Sequence, residues 1–200
     1  ATAGVAPERI RTIPNWAPPL DLPADDGAAW RAQHGLRGRF VALYAGTLGQ
    51  KHDPEMLAAL ARHWHGDPAA AVVVASQGPG RAYLERVRAR ENLANLHLLD
   101  FRPYAELPAA LRAADVLLAL LSPAGSGYAV PSKVLTALRS GRPLLAAMPA
   151  DNPASRTIGD AEAGLVVAPG AHTAWCDAAD RLRTDPALRA RLGRNGAAWA

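Results

Sequence analysis

Short apolar runs alternate with longer segments whose apolar residues recur every three or four positions, and this alternation persists along most of the chain. The short runs, at 40–45, 71–75, 96–99, 116–120, 144–147 and 165–167, predict strands. Runs such as Val72, Val73, Val74 lack the polar alternation of a half-exposed strand and imply burial on both faces. The longer segments predict helices at 27–34, 54–65, 81–91, 104–113, 131–140, 153–160, 172–184 and 186–198. Strands and helices taking turns imply right-handed crossovers, hence an α/β class: a Rossmann-like parallel sheet of about six strands flanked by helices. Open sheets of this kind bind ligands beyond the carboxyl ends of their strands. The loops after Ala45, Ala75, Leu99 and Leu120 are therefore where chemistry is expected.

Residues 13–26 depart from the pattern. Pro14, Pro18, Pro19 and Pro23 disfavour both helix and central strand and predict an extended connector. Residues 1–26 accordingly read as a linker region and 27–200 as one domain. A first residue other than methionine and a last residue inside a predicted helix are expected of a piece of a longer protein.

Half of the 200 residues are hydrophobic, enough to bury a sizeable core. The net charge of +4 and the isoelectric point near 9.7 would suit nucleic acid or an anionic surface. The arginines, however, are interleaved with acids, as in 81–91 and 181–194, which reads as solvated helix faces. Without a basic stripe carrying aromatics, no nucleic-acid partner is expected. A single cysteine, Cys176, excludes an internal disulfide and fits a reducing, cytoplasmic compartment. The longest strong apolar run, 116–121, falls far short of the roughly 20 residues that cross a bilayer. Residues 1–11 lack the apolar segment of a signal peptide.

All but two of the 22 basic residues are arginine, and the two lysines, Lys51 and Lys133, both fall in loops where such a fold would hold a phosphate. Lysine offers a compact point charge where arginine offers a planar fork, so at a close anion site the two are not equivalent. The first loop places Gly46, Thr47 and Gly49 ahead of Lys51 and a helix start; glycine permits close backbone approach, and the helix end offers free N–H groups. Its spacing is neither a phosphate-binding Walker loop nor the dinucleotide fingerprint. Ser76, Gln77, Gly78, Pro79 and Gly80 open the next helix, a pattern equally suited to a plain turn. Phe101 and Arg102 follow the third strand, where a ring edge and backbone groups could meet a nucleobase, although Phe101 also suits a core. The fourth loop carries Ser126, Gly127, Tyr128, Pro131, Ser132 and Lys133; Pro131 suits a first helical turn and leaves the next N–H groups free for an anion.

The runs VPSKVLTALRSGRPLLA and LYAGTLGQKH, the approach RTIPNW and the GPG fragment, in this order and spacing, resemble the donor-binding C-terminal half of a GT-B glycosyltransferase. More narrowly they resemble the family 4 retaining enzymes of the colanic-acid and O-antigen type, from about Arg11 onward. The resemblance implies transfer of a sugar from a nucleoside diphosphate sugar to a glycan or lipid-linked acceptor, with retention at the anomeric carbon and no metal or other cofactor. It implies a missing N-terminal half as partner, an acceptor at the cytoplasmic membrane face, and a fragment that binds nucleotide weakly and catalyses nothing alone. By position Lys51 matches the lysine on the donor diphosphate, Gly46 the turn beside it, and residues 127–133 the segment around sugar and phosphates.

The departures are as informative. Many members have arginine where Thr47 stands, and a pair of glutamates where Tyr128 and Thr136 stand, the second of which holds the ribose hydroxyls. Lys133 is expected to supply the charge that Thr47 lacks. An epimerase of related fold would need acid and base carboxylates with a histidine, and a non-catalytic scaffold would keep the fold alone; these are the alternatives. His63 and His65, two apart, diverge on a helix, and no cluster has metal-ligand spacing, so no metal is expected. His52 is read either as a phosphate or sugar contact or as an exposed turn residue, Cys176 as a buried thiol, and Ser126 as lacking any partner base.

Overall fold

The computed structural model describes residues 4, 6, 9–11, 15–17, 19–23, 25–101, 103–126 and 129–200, with the backbone alone for Tyr104. Six strands form one parallel sheet: β1 (Phe40–Ala45), β2 (Ala70–Ala75), β3 (Leu96–Leu99), β4 (Val116–Leu120), β5 (Leu144–Ala147) and β6 (Gly164–Val167), in the spatial order β3-β2-β1-β4-β5-β6. The helices among the described residues are α1 (Ala28–Gln33), α2 (Glu55–His63), α3 (Pro79–Glu91), α4 (Leu107–Ala113), α5 (Pro123–Ser126), α6 (Lys133–Arg139), α7 (Pro153–Asp160), α8 (His172–Thr184) and α9 (Pro186–Trp199). None of them is long and apolar enough to cross a membrane.

Alternate residues of each central strand feed opposite layers, as a two-residue side-chain period requires. Ala42, Tyr44, Val72, Val74, Leu118 and Leu120 pack with α2, α3 and α8, whose Leu57, Leu84 and Trp175 are fully buried. Val41, Leu43, Val73, Leu117 and Ala119 pack on the other face with Trp30, Leu111, Val134, Leu138 and Ile158. The uninterrupted apolar runs of β1, β2 and β4 follow from this burial on both faces.

The predicted strands match the sheet, with β2 and β6 each one residue longer at the start. Three predicted helices begin two or more residues elsewhere, α3 already at Pro79 rather than at 81. The segment 104–113 opens as a 3₁₀ turn, Tyr104–Glu106, because Pro108 has no N–H to give to a preceding carbonyl. The segment 131–140 becomes helical only at Lys133, after a turn in which Val134 N donates to Pro131 O at 3.1 Å. α5 was not predicted, since its Pro and Gly read as a turn. In the connector, Leu20 is buried against the second layer with Ala17 and Leu22 beside it; Pro14 and Pro18 lie outside the described residues.

At the amino edge of the sheet Asp115 takes Val41 N at 2.7 Å and Arg31 at 2.9 Å, which ties α1 to β1 and β4. Arg62 of α2 pairs with Glu55 and with Glu91 of α3 at 2.5 Å each, and Arg81 of α3 with Glu85 one turn on. Those charges are consumed in solvated ion pairs.

Candidate functional site

Strand order reverses between β1 and β4, and there the loops at the carboxyl edge part to leave a crevice. Backbone hydrogen bonds lace the loops together. Leu48 N donates to Gln77 O and Gly80 N to Leu48 O, both at 3.0 Å, while Ser122 N donates to Lys51 O at 2.9 Å. Gly78, at φ +104°, lies where an added Cβ would stand 3.0 Å from Leu48 O, so it is glycine because one loop rests on the other.

Lys133 crosses this gap. Its helix belongs to the layer of Val134 and Leu138, yet its ammonium ends on Tyr44 of the opposite layer. Lys133 Nζ donates to Tyr44 Oη at 2.6 Å, and Tyr44 Oη donates to Thr47 O at 2.8 Å. Gly46, at φ +130°, makes room: an added Cβ would lie 3.1 Å from Lys133 Nζ. No carboxylate pairs with Lys133 among the described residues. Burial first, and then the charge of Lys51, push its ammonium down to about 7. Burial pushes the Tyr44 phenol well above its ordinary value, so it stays neutral beside the lysine. Lys51 itself is exposed. The arrangement is a cation held by a neutral phenol, which suits an anionic guest.

His52 is not an exposed turn residue. It is buried, its Nδ1 accepts from Gly49 N at 3.1 Å, and its ring meets Tyr44 edge-on. Burial, then Lys133 and Lys51, push it down to about 4, against the weaker opposing effect of the Gly49 bond. A neutral imidazole thus supports the first loop from beneath.

A cavity of about 330 Å³ opens below Lys133. Thr47, Ser132, Lys133 and Thr136 form its polar end, while Leu107, Leu111, Leu117 and Leu144 form apolar walls; no Asp or Glu is among the described lining residues. Phe101 is half exposed at its mouth and not in a core; it also borders a second hollow of about 430 Å³ with Gln77, Gly78 and Arg81. Gly46, Thr47, Phe101, Ser132, Lys133 and Thr136 therefore share one crevice, with Lys51 on the loop beside it. Pro131 is buried in the turn before α6, and Gly78 lies in the adjoining hollow. Arg102, Gly127 and Tyr128 lie outside the described residues.

Three contributors were missed from sequence. Tyr44 reads as a core strand residue, and nothing local betrays its hydroxyl. Gly125 packs on Lys51, an added Cβ there standing 2.8 Å from Lys51 Cβ. Asn152, before Pro153, carries a helix-cap signal, but its reach to Ser126 and Ala129 carries none. Elsewhere Cys176 is buried and burial pushes its thiol up to about 11, as suits an inert residue. His63 is engaged with Asp180 at 2.6 Å. Among the described residues no group of three or more His, Cys, Asp or Glu could hold a metal ion.

The family described as Glycosyl transferases group 1 matches residues 26–199. The "Putative colanic acid biosynthesis glycosyl transferase WcaI" of Escherichia coli (strain K12) is 30% identical over 142 residues, which make up 69% of this chain and 35% of that protein. The chain thus spans little more than a third of that relative. Among solved structures, the C-terminal domain of the glycosyl transferase group 1 family protein LpcC from Francisella tularensis superposes with a TM-score of 0.70 at 19% identity, covering 89% of this chain and 92% of that one. Anabaena HepE, solved with UDP-glucose, superposes at 0.69 with 19% identity over 86% of this chain and 47% of that one. At these identities the likeness of the solved structures is one of fold.

Proposed function

The chain belongs to the glycosyl transferases group 1 family, and on that premise we propose that it is the nucleotide-sugar-binding half of a retaining enzyme of bacterial polysaccharide assembly. The enzyme takes a sugar from a nucleoside diphosphate sugar to a hydroxyl of a glycan or lipid-linked acceptor. In that reaction the bond between the anomeric carbon and the diphosphate oxygen breaks, the acceptor hydroxyl loses its proton as its oxygen bonds to that carbon, and the diphosphate leaves with its negative charge increased, the proton passing to solvent. Preorganised positive charge at that oxygen lowers the barrier.

The observation that carries the reading is Lys133: an ammonium at the β1/β4 gap, held by a neutral phenol and without a carboxylate partner among the described residues. Lys51, on the facing loop, adds a second cation, and the two together take the place of a metal in our reading. The apolar crevice below them, with Phe101 at its mouth, receives the nucleoside; HepE, of the same fold, is solved with UDP-glucose. Arg102 is assigned to the nucleotide, and Gly127 and Tyr128 to the sugar, by position alone. Residues 1–26 lead from a preceding half that supplies the acceptor wall of the cleft, at the cytoplasmic membrane face.

Calorimetric titration of the chain with uridine, guanosine and adenosine diphosphates tests this. At least one binds, and Lys133→Ala weakens that binding by about tenfold or more, the loss of a charge-assisted contact. Absence of binding by all three to a folded chain overturns the reading.

A further inference from the structure

Asn152 is buried at 1% exposure, and its two amide atoms do different work. Oδ1 accepts from Ala154 N at 2.9 Å and caps α7. Nδ2 reaches the loop after β4, to Ala129 O at 2.9 Å, Ser126 Oγ at 3.2 Å and Ser126 O at 3.4 Å. On its other side the same loop is gripped by the first loop: Ser122 N donates to Lys51 O, and Gly125 packs on Lys51. α5 is thus clamped between Lys51 and Asn152. Ala129 N also donates to Gly125 O at 3.1 Å, which joins the clamp to the turn that starts the Lys133 helix.

We propose that Asn152 is a positioning residue of the donor site, which fixes Ser126 and Ala129 and through them the stance of Lys133 relative to Lys51. The inference rests on the reading of that crevice as the donor site. Asn152 touches no reacting group. It acts by holding the loop in place, since at 1% exposure its amide protons are turned to these oxygens and away from bulk solvent.

Asn152→Asp separates the two roles. A carboxylate caps a helix as well as an amide does, but it has no proton for the carbonyl oxygens of Ser126 and Ala129 and repels them, the Ser126 hydroxyl alone being able to turn and donate to it. In the full chain we expect amide exchange of residues 124–126 and 129–135 to accelerate about tenfold or more while β1 and β4 keep their protection, and uridine diphosphate affinity to fall by about tenfold, the loss that follows when a buried hydrogen-bonded group is left unmatched. Unchanged exchange in 124–126 and 129–135 overturns the tether. Faster exchange with affinity equal to that of the unaltered chain, while Lys133→Ala binds weakly, overturns the positioning role. If the unaltered chain binds none of the three nucleoside diphosphates, the donor reading fails, and with it the role at that site, whereas exchange still decides whether Asn152 holds the loop. Should Asn152→Asp not fold, Asn152→Ser, with a capping oxygen and no reach to Ala129, is measured in its place.

Discussion

Lys133 Nζ lies 2.6 Å from Tyr44 Oη and 3.8 Å from the centroid of the same ring, so one tyrosine meets the ammonium with both its hydroxyl and its π face. Neither contact brings a negative charge. A phenol and a ring face stabilise a cation modestly, and burial opposes it, so the balance leaves Lys133 close to losing its proton. A bound anion would reverse that balance.

Nucleotide affinity should therefore depend on pH near neutrality. With Lys133 at about 7 in the free chain, its protonated form prevails below that pH and the binding it supports is fully present there. Above it each bound diphosphate must first recruit a proton, so Kd for uridine diphosphate rises by up to about tenfold per pH unit until the bound-state value is reached. Calorimetry at pH 8 in buffers of differing ionisation heat should detect proton uptake. Lys51→Ala, which removes the neighbouring charge that depresses Lys133, should shift the onset to higher pH; an affinity flat between pH 6.5 and 8.5 contradicts the assignment. The folded chain gains stability over the complementary range. Lys133 is lower when folded than its ordinary 10.5, so the unfolded chain binds more protons between about 7 and 10, and this group's contribution to stability grows as pH rises through that window.

Gly46→Ala should damage stability and binding together. The backbone at φ +130° is strained for any residue with a Cβ, and that Cβ would press on Lys133 Nζ at 3.1 Å. The strain costs about 1–3 kcal/mol, which for a chain of this size lowers Tm by roughly 2–12 °C. The binding loss acts through the displaced lysine. In the Gly46→Ala, Lys133→Ala pair it should consequently be strongly non-additive by calorimetry; additive losses would mean that Gly46 serves the ligand directly.

The sheet was legible because strands buried on both faces leave uninterrupted apolar runs, and the crevice was legible because strand ends and glycines mark it. Lys51 and Lys133 stood out by composition and by their place in the loops, and Lys51 by the resemblance as well. What the sequence withheld depends on contacts between distant positions: Lys133 and Tyr44 are 89 residues apart, and Asn152 and Ala129 are 23 apart. His52 misled for the same reason. Beside a lysine it reads as a polar contact, and only the folding of the loop over Tyr44 and Gly49 buries it.

Asp115→Ala should separate stability from binding. The carboxylate accepts from Val41 N and Arg31 at the amino edge of the sheet, away from the crevice. Its loss leaves the Val41 N–H without its partner and the Arg31 guanidinium without its counter-charge, though still bonded to Ala113 O and Arg39 O. Since both side chains retain about a fifth of their exposure, solvent screening moderates the cost to about 1–3 kcal/mol. Denaturant melts should show this loss while uridine diphosphate affinity stays within about twofold, as additivity of distant sites requires. A large fall in affinity would mean that the two edges of the sheet are coupled.

The cavity wall also predicts how the nucleoside sugar is read. Thr136 lies at the polar end with Thr47 and Ser132, and no Asp or Glu is among the described lining residues. A hydroxyl contributes about 0.5–1.5 kcal/mol to a neutral hydrogen bond, a carboxylate about 1.5–3 kcal/mol to a charged one. Removing a ribose hydroxyl opposite Thr136 therefore costs less than about tenfold in affinity, whereas removing it opposite a carboxylate costs more, because a buried charge loses its partner. Uridine diphosphate and its 2′-deoxy analogue should accordingly differ by under about tenfold for this chain, and Thr136→Glu should push the ratio above that. A large preference for the ribose form in the unaltered chain would show that a group other than Thr136 engages that hydroxyl. The same ratio in Thr136→Glu as in the unaltered chain would place the ribose away from α6.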